Sequence, residues 1–203
     1  SLFGKSFGSH ISGHIFINGK EVHLNKVRDA IDNKIAYVTE ARKFNGLILN
    51  APIRENITLA KMDKISRHLV LDKDLEISVA NQYKEKLRTK CASVEQKASS
   101  LSGGNQQKVL LSKWMFADPD ILILDEPTRG IDVGAKYEIY CIINQLAAAG
   151  KSVLLISSEL PEILGMCDRI YVMNEGRIVK ELSREEASQE AIMTCILQSS
   201  KGA

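Results

Sequence analysis

Ile-Leu-Ile-Leu-Asp-Glu-Pro-Thr at residues 121–128 places this 203-residue chain among the α/β proteins. Four branched apolar residues in succession predict a strand buried on both faces, as in a parallel sheet. Pro127 ends the strand because it has no N–H to donate. Asp125 and Glu126 therefore stand at the carboxyl end of the strand, where open α/β sheets bind ligands. The alternative, an exposed Asp-Glu turn, rarely follows a fully apolar run.

Leu-Ser-Gly-Gly-Asn-Gln-Gln at residues 101–107 lies upstream of this strand and predicts the start of a helix. Apolar residues follow it at helical spacing, namely Leu110, Leu111, Trp114 and Met115. A helix start presents unpaired N–H groups and the positive end of the dipole, and glycine lets the backbone approach an anion closely. The pattern therefore predicts a phosphate-binding site at Ser102, Gly103 and Gly104. An ordinary helix capped by Ser102 is the alternative.

Together these segments resemble the nucleotide-binding domain of ABC transporters. LSGGNQQ resembles the signature motif, and ILILDEP resembles the Walker B strand with the catalytic glutamate. Other segments resemble one subfamily, the importers of ribose, xylose, galactose and similar sugars, in which one polypeptide carries two fused nucleotide-binding domains. They are Thr39-Glu40 with Arg42-Lys43, GGNQQK at 103–108, EPTRGIDVGAK at 126–136 and ISSELPE at 156–162. The chain resembles the second of the two domains.

The resemblance implies an α/β fold: the P-loop NTPase-like core of an ABC ATPase, with a mainly parallel sheet and flanking helices, plus antiparallel β hairpins and a helical subdomain. Residues 1–203 would form a single partial nucleotide-binding domain. Residues 42–115 would be the helical and signature subdomain inserted within it, which in the family receives the coupling helices of the membrane subunit. A solvated helical insertion is the alternative for this polar region.

ATP and Mg²⁺ are the cofactors that the resemblance implies. Asp125 would hold the metal, directly or through water, and Glu126 would be the catalytic residue that orients or deprotonates the attacking water. The other residues expected to bind the nucleotide are Ser102, Gly103, Gly104, Gln106, Glu40, Asp132 and Ser158. In ABC dimers each ATP lies between the P-loop of one domain and the signature of the other, so Gly103 and its neighbours are expected to act on ATP held by a partner domain.

Three positions depart from the common family pattern. Glu40 replaces a glutamine that usually meets the metal and the attacking water. Ser158 replaces a histidine that reaches the γ-phosphate, and serine cannot steady a developing phosphoryl charge as imidazole can. Both replacements are usual in second domains of the subfamily, whereas Ala41 stands where an acidic residue is usual.

Asp132 resembles part of the D-loop, although it would also suit a plain helix N-cap.

A complete P-loop, G-x-x-x-x-G-K-[ST], does not occur in the 203 residues. Gly4-Lys5-Ser6 matches its end, but the first glycine of the pattern would fall before residue 1, and Gly8 and Gly13 interrupt any following helix. Residues 1–4 instead resemble the end of the helix that follows a P-loop. We therefore expect a truncated domain that hydrolyses little ATP alone and belongs to a transport ATPase in the intact assembly.

The favoured function is an ATP-hydrolysing module of an importer that powers carbohydrate uptake. A non-catalytic binding and coupling module and an ABC ATPase outside transport are the alternatives. The expected partners are another nucleotide-binding domain, fused in the parent chain, the membrane permease subunits and, indirectly, a periplasmic sugar-binding protein. The expected location is the cytoplasmic face of the bacterial inner membrane.

Composition agrees with this interpretation. The net charge is +2 with lysines and arginines interspersed among acidic residues, which gives no indication of nucleic-acid binding. No apolar run approaches the roughly twenty residues of a membrane span. The four cysteines lack metal-ligand spacing and are expected to be reduced and partly buried.

Periodicity and turn residues predict the other elements. They are a hairpin over 14–23, a helix around 25–32, a strand at 35–38, a helix near 79–89, a helix at about 134–149, a strand at 152–156, a hairpin with strands at 169–173 and 177–179, and a final helix opened by a Ser183/Glu186 capping box.

Overall fold

The computed structural model describes residues 2–4 and 11–199. The chain divides into two compact units, Ser1–Leu154 and Leu155–Ala203. Lys5, Ser6 and Gly8, which bear on the P-loop prediction, lie outside the described residues.

The larger unit opens with the predicted hairpin. Strands β1 (Ile15–Ile17) and β2 (Lys20–Val22) pair antiparallel. Asn18 and Gly19 between them have φ of 51° and 74°, as a two-residue type I′ turn requires. Helix α1 (Val27–Asp32) then leads into β3, which spans Ile35 to Val38 as predicted.

The region that follows β3 is mainly helical. Its elements are a π-helical turn (Arg42–Gly46), α2 (Ile53–Thr58), a 3₁₀ segment (Leu59–Ile65), the short hairpin β4 (Ser66–Arg67) and β5 (Val70–Leu71), α3 (Lys73–Lys86), a 3₁₀ turn (Ala98–Ser100) and α4 (Gly103–Ala117).

The predicted bounds of the helix near 79–89 are wrong, because α3 begins at Lys73. Asp72 caps this helix, and its Oδ1 accepts a hydrogen bond from Leu75 N at 3.0 Å. The first turn of α3 is polar, so apolar periodicity does not reveal it. Helix α4, in contrast, begins at the predicted Gly103.

A three-stranded sheet lies at the centre of this unit. Strand β6 (Ile121–Asp125) runs parallel to β3, and β7 (Ser152–Ile156) is its other neighbour. Leu122 and Leu124 are fully buried, and Ile123, which points to the opposite face, is 7% exposed. The predicted burial of β6 on both faces is confirmed. Between β6 and β7 runs α5 (Val133–Ala148), within one residue of its predicted bounds.

The smaller unit contains α6 (Leu160–Met166), the antiparallel strands β8 (Arg169–Asn174) and β9 (Arg177–Ser183), and α7 (Gln189–Ser199). Its core combines residues of both strands and of α7, namely Ile170, Val172, Leu182 and Ile192. The predicted hairpin is confirmed, with β9 longer than expected.

The predicted role of the Ser183/Glu186 capping box is wrong. Its two hydrogen bonds are present, Ser183 N to Glu186 Oε2 at 2.9 Å and Glu186 N to Ser183 Oγ at 3.4 Å. They close a turn at the end of β9, because Ser183 itself still belongs to that strand. Helix α7 begins later, where Ser188 Oγ accepts from Ala191 N at 3.0 Å.

Two expectations from composition can be compared with the structure. No helix among the described residues is long and apolar enough to cross a membrane. Cys91, Cys141, Cys167 and Cys195 are all free and partly buried, as predicted.

Candidate functional site

The two predicted carboxylates lie at the carboxyl end of β6. Tyr37 of the neighbouring strand β3 donates its hydroxyl to Asp125 Oδ2 at 2.7 Å. Burial, together with this hydrogen bond and the nearby carboxylate charge, raises the pKa of Tyr37 to about 12. The tyrosine therefore stays a donor at neutral pH and fixes the orientation of Asp125. Glu126 follows with φ of 46°, a left-handed conformation that turns the chain sharply away from the strand.

The α4 tip, which consists of Ser102, Gly103 and Gly104, leaves the helix start open. Ser102 occupies the N-cap position, but its side chain makes no capping hydrogen bond. Its Oγ instead accepts from Asn105 Nδ2 at 2.9 Å, and Asn105 Oδ1 accepts from Lys90 N at 2.8 Å. The alternative of an ordinary Ser-capped helix is therefore wrong. An uncapped, glycine-led helix start has the N–H groups that bind an anion.

Neither glycine of the α4 tip has free space for a side chain in the observed packing. A Cβ on Gly103 would lie 2.8 Å from Arg42 Nη2 and 3.3 Å from Gly130 O. A Cβ on Gly104 would lie 2.6 Å from the Cβ of Ala135 in α5. Each distance is shorter than an ordinary carbon contact, so glycine lets α4 approach both neighbours.

The segment after β3 is joined to the turn after β6 by two arginines. Arg42 Nη1 donates to Arg129 O at 2.8 Å, and Nη2 donates to Gly130 O at 3.4 Å. The side chain of Arg129 in turn forms an ion pair with Glu40. Glu40 is therefore held by an arginine of the same chain.

Three other predicted site residues have different surroundings. Gln106 is 4% exposed, and its Nε2 donates to Ala98 O at 3.3 Å and Leu101 O at 3.2 Å, so its amide supports the loop before α4. Asp132 is the N-cap of α5, and its Oδ1 accepts from Ala135 N at 3.0 Å. Ser158 follows β7 and belongs to the smaller unit. The roles of these residues in nucleotide binding stay predictions.

A model of the family described as "ABC transporter" matches residues 5–129, more than half of the sequence. The chain belongs to the ABC transporter family. It is 64% identical over 193 residues to the L-arabinose transport ATP-binding protein AraG of Geobacillus stearothermophilus, an alignment that covers 95% of this chain and 38% of that protein. It is 53% identical over 195 residues to the xylose import ATP-binding protein XylG of Geobacillus kaustophilus, covering 96% of this chain and 38% of that protein. It is also 50% identical over 182 residues to the ribose import ATP-binding protein RbsA of Bacillus cereus, covering 90% of this chain and 37% of that protein.

The chain thus spans about 38% of the length of these relatives. Solved structures of ABC cassettes share its fold. A nucleotide-free ATP-binding cassette superposes with a TM-score of 0.76 at 19% identity, covering 98% of this chain and 78% of that one. The dimeric post-hydrolysis state of the cassette MJ0796 bound to ADP and Pi superposes with a TM-score of 0.69 at 21% identity, covering 85% of this chain and 74% of that one. The predicted α/β fold of an ABC ATPase is confirmed.

The donor set agrees with the Mg²⁺ that the ABC family implies. The described residues contain no group of three or more His, Cys, Asp and Glu side chains that could hold a metal by themselves. Mg²⁺ prefers oxygen ligands and keeps several waters and substrate phosphates, so it needs few protein ligands. Asp125 supplies an oxygen of this kind, and Tyr37 holds the carboxylate in place through its other oxygen.

Sequence reasoning misses two residues of the candidate site. Tyr37 is a polar residue in a short buried strand, and its register opposite Ile123 of β6 brings it near Asp125. Arg42 belongs to a motif of the sequence, but the motif alone predicts no role for it. Its partners lie far away in the sequence, and only the parallel pairing of β3 with β6 brings them close.

Proposed function

We propose that this chain is the second nucleotide-binding domain of an ABC importer and helps to power carbohydrate uptake by ATP hydrolysis. The identity of 64% to an arabinose transport ATP-binding protein, over 95% of the chain, carries this proposal. Relatives named for xylose and ribose import support the same class of substrate. The sugar itself is recognised elsewhere in such an importer, by a periplasmic binding protein and the membrane permease.

The α4 tip acts on ATP held by the partner nucleotide-binding domain. Its N–H groups have no serine cap, and the positive end of the α4 dipole lies at Gly103 and Gly104. Such donors stabilise negative charge that develops on a transferred phosphoryl group. The tip therefore closes over the γ-phosphate when the two domains approach each other.

The carboxylates after β6 belong to the ATP site of this domain itself. Asp125, held by Tyr37, would hold Mg²⁺, which would supply charge stabilisation to the phosphates, and Glu126 would orient or deprotonate the attacking water. A second candidate function is a non-catalytic coupling module. The ion pair of Glu40 with Arg129 favours it, because a carboxylate engaged by an arginine is a poorer partner for metal and water than the usual glutamine.

The helical region receives the membrane permease. It exposes four large apolar side chains between β3 and β4, which are Phe44 (89%), Ile48 (53%), Leu59 (42%) and Met62 (46%). The resemblance of this region to the helical subdomain that receives the permease in the family supports this proposal. This interaction would hold the domain at the cytoplasmic face of the bacterial inner membrane, where it meets the periplasmic sugar-binding protein only through the permease.

Replacing Gly103 by Asp in the complete importer tests the role of the α4 tip. The new carboxylate would repel the phosphate, so hydrolysis by the assembly should fall at least ~100-fold. Gly165→Asp is the matched control, since Gly165 is an exposed helix residue and a Cβ at this position would meet no atom within 4 Å. Size-exclusion chromatography should show that both variants assemble. Near-normal hydrolysis by an assembled Gly103→Asp variant would refute the proposal.

The two candidate functions differ in what Glu126 does. If this domain hydrolyses ATP, Glu126→Gln should lower turnover by the complete importer without weakening ATP binding. Unchanged turnover would favour the coupling module. The 203 residues contain no complete P-loop, so the chain purified by itself should hydrolyse little ATP and bind it weakly. Micromolar affinity measured by calorimetry would contradict the expected weak binding.

A further inference from the structure

Three segments of the larger unit meet at the guanidinium group of Arg42. This side chain starts in the π-helical turn after β3. It donates to two successive carbonyls after β6, Arg129 O at 2.8 Å and Gly130 O at 3.4 Å. It also lies against the α4 tip, because a Cβ on Gly103 would be 2.8 Å from Nη2. One side chain therefore touches both parts of the proposed ATP machinery.

The charge of Arg42 is not neutralised by a neighbouring acid. Among residues 2–4 and 11–199, no ion pair joins Arg42 to a carboxylate, and its buried Nε has no hydrogen-bond partner. Burial lowers the pKa of this guanidinium. A cation without a counter-ion beside the positive end of a helix is unfavourable. The arrangement is therefore poorly explained as a device for stability.

The turn that Arg42 holds spans residues 126–130, directly after β6. Glu126 and Gly130 both have left-handed backbones, with φ of 46° and 67°. The internal bond from Arg129 N to Glu126 O is 3.2 Å long. The side chain of Arg129 adds a second tie, since it pairs with Glu40. Glu40 and Arg42, which lie outside the turn, thus hold the backbone that carries Glu126.

We propose that Arg42 is a positioning residue that sets the α4 tip and the 126–130 turn in one fixed arrangement. This inference rests on the proposed function and assigns Arg42 no contact with the nucleotide.

The first experiment compares steady-state hydrolysis by the complete importer carrying Arg42→Gln, Arg42→Lys or Arg177→Gln. Glutamine cannot reach both carbonyls, so kcat should fall about 10-fold, equivalent to ~1.4 kcal/mol, while KM for ATP stays within about 2-fold. Lysine restores charge and one hydrogen bond and should recover part of kcat. Arg177→Gln removes the same charge from an exposed residue of β9, outside the proposed ATP machinery and the helical region, and should behave as wild type.

Wild-type kcat in Arg42→Gln would overturn the inference, as would a change confined to KM. A general folding defect is recognised separately, because it lowers the amount of assembled importer and is not relieved selectively by lysine. If Gly103→Asp abolishes hydrolysis while Arg42→Gln has no effect, the role of Arg42 fails and the proposed function stands. If Gly103→Asp has no effect, the proposed function itself fails.

The second experiment is a double-mutant cycle between Arg42 and Gly103. Gly103→Ala places a methyl group against Nη2 of Arg42, and the shorter side chain of Arg42→Gln relieves that contact. Contacting residues couple energetically. The fold-loss of kcat caused by Gly103→Ala should therefore be at least ~5 times smaller in the Arg42→Gln background than in wild type. Strictly additive effects would show that Arg42 does not act on the α4 tip.

Discussion

The hydroxyl of Tyr37 donates to Asp125 Oδ2 at 2.7 Å across the parallel strands β3 and β6. A carboxylate at a strand end can otherwise rotate, and this bond leaves one oxygen in a set direction. The structure thus gives the proposed metal ligand a fixed orientation before any metal arrives, which is the arrangement that supports geometric selectivity for Mg²⁺.

Removing this bond should weaken the use of magnesium. In the complete importer we expect Tyr37→Phe to raise the half-saturating Mg²⁺ concentration for hydrolysis at least ~10-fold, because a hydrogen bond to a charged group contributes ~1.5–3 kcal/mol. Tyr171→Phe is the control, because it replaces a half-exposed tyrosine of β8. A Mg²⁺ titration of initial rates measures both, and equal curves for Tyr37→Phe and wild type would contradict the prediction.

Lys113 should make stability depend on pH above neutrality. Its Nζ donates to Gly46 O at 2.9 Å from a site that is 9% exposed, and burial lowers the pKa of its ammonium from 10.5 to about 8. Between these two values the unfolded chain binds more protons than the folded one. The free energy of unfolding should therefore rise with pH in this window, and below about pH 8 the contribution of Lys113 should no longer change with pH.

Urea titrations of wild type and Lys113→Met at several pH values isolate this contribution. Other groups titrate in the same window, including Cys167, whose pKa is raised by burial, so the comparison uses the difference between the two proteins. The difference should grow in favour of wild type as pH rises from about 8 to about 10.5. Parallel pH profiles would show that the ammonium of Lys113 is not desolvated as the structure indicates.

Gly104 should tolerate no side chain while Ala135 faces it. The Cβ of Gly104→Ala would lie 2.6 Å from Ala135 Cβ, so we expect a loss of ~1–3 kcal/mol in unfolding free energy from overpacking. Ala135→Gly in the same chain should recover part of that loss. Gly165→Ala, at an exposed helix position, is the control and should change stability by less than ~1 kcal/mol. Additive effects at residues 104 and 135 would contradict direct packing.

Arg54 should be essential for the helical region. Glu76 is 2% exposed and forms an ion pair with Arg54, whose Nε also donates to Glu95 at 2.8 Å. Arg54→Ala leaves a buried carboxylate without its cation and should destabilise the protein by ~3 kcal/mol or more. Arg28→Ala breaks an exposed pair with Asp32 and should change stability by less than ~1 kcal/mol. Similar urea midpoints for the two variants would refute this prediction.

Local features of the sequence predicted much of the fold. The apolar run at 121–124 predicted β6, the two glycines at 103 and 104 predicted the start of α4, and Asn18-Gly19 predicted the first hairpin. Each of these depends on neighbours a few residues apart, so the pattern and its structural consequence lie in the same window. Helix α3 shows the limit of this reasoning, because its polar first turn is stabilised by the Asp72 cap and by the burial of Glu76.

The sequence by itself determined the family, the order of the motifs and the carboxylates at the end of β6. The tertiary structure decided what surrounds them. Tyr37 meets Asp125 across a separation of 88 residues, and Arg42 meets Arg129 across 87. Those contacts follow from the parallel pairing of β3 with β6. Strands pair through backbone hydrogen bonds and through burial of apolar side chains over the whole domain. No local pattern around Tyr37 or Arg42 therefore specifies which side chains become their neighbours.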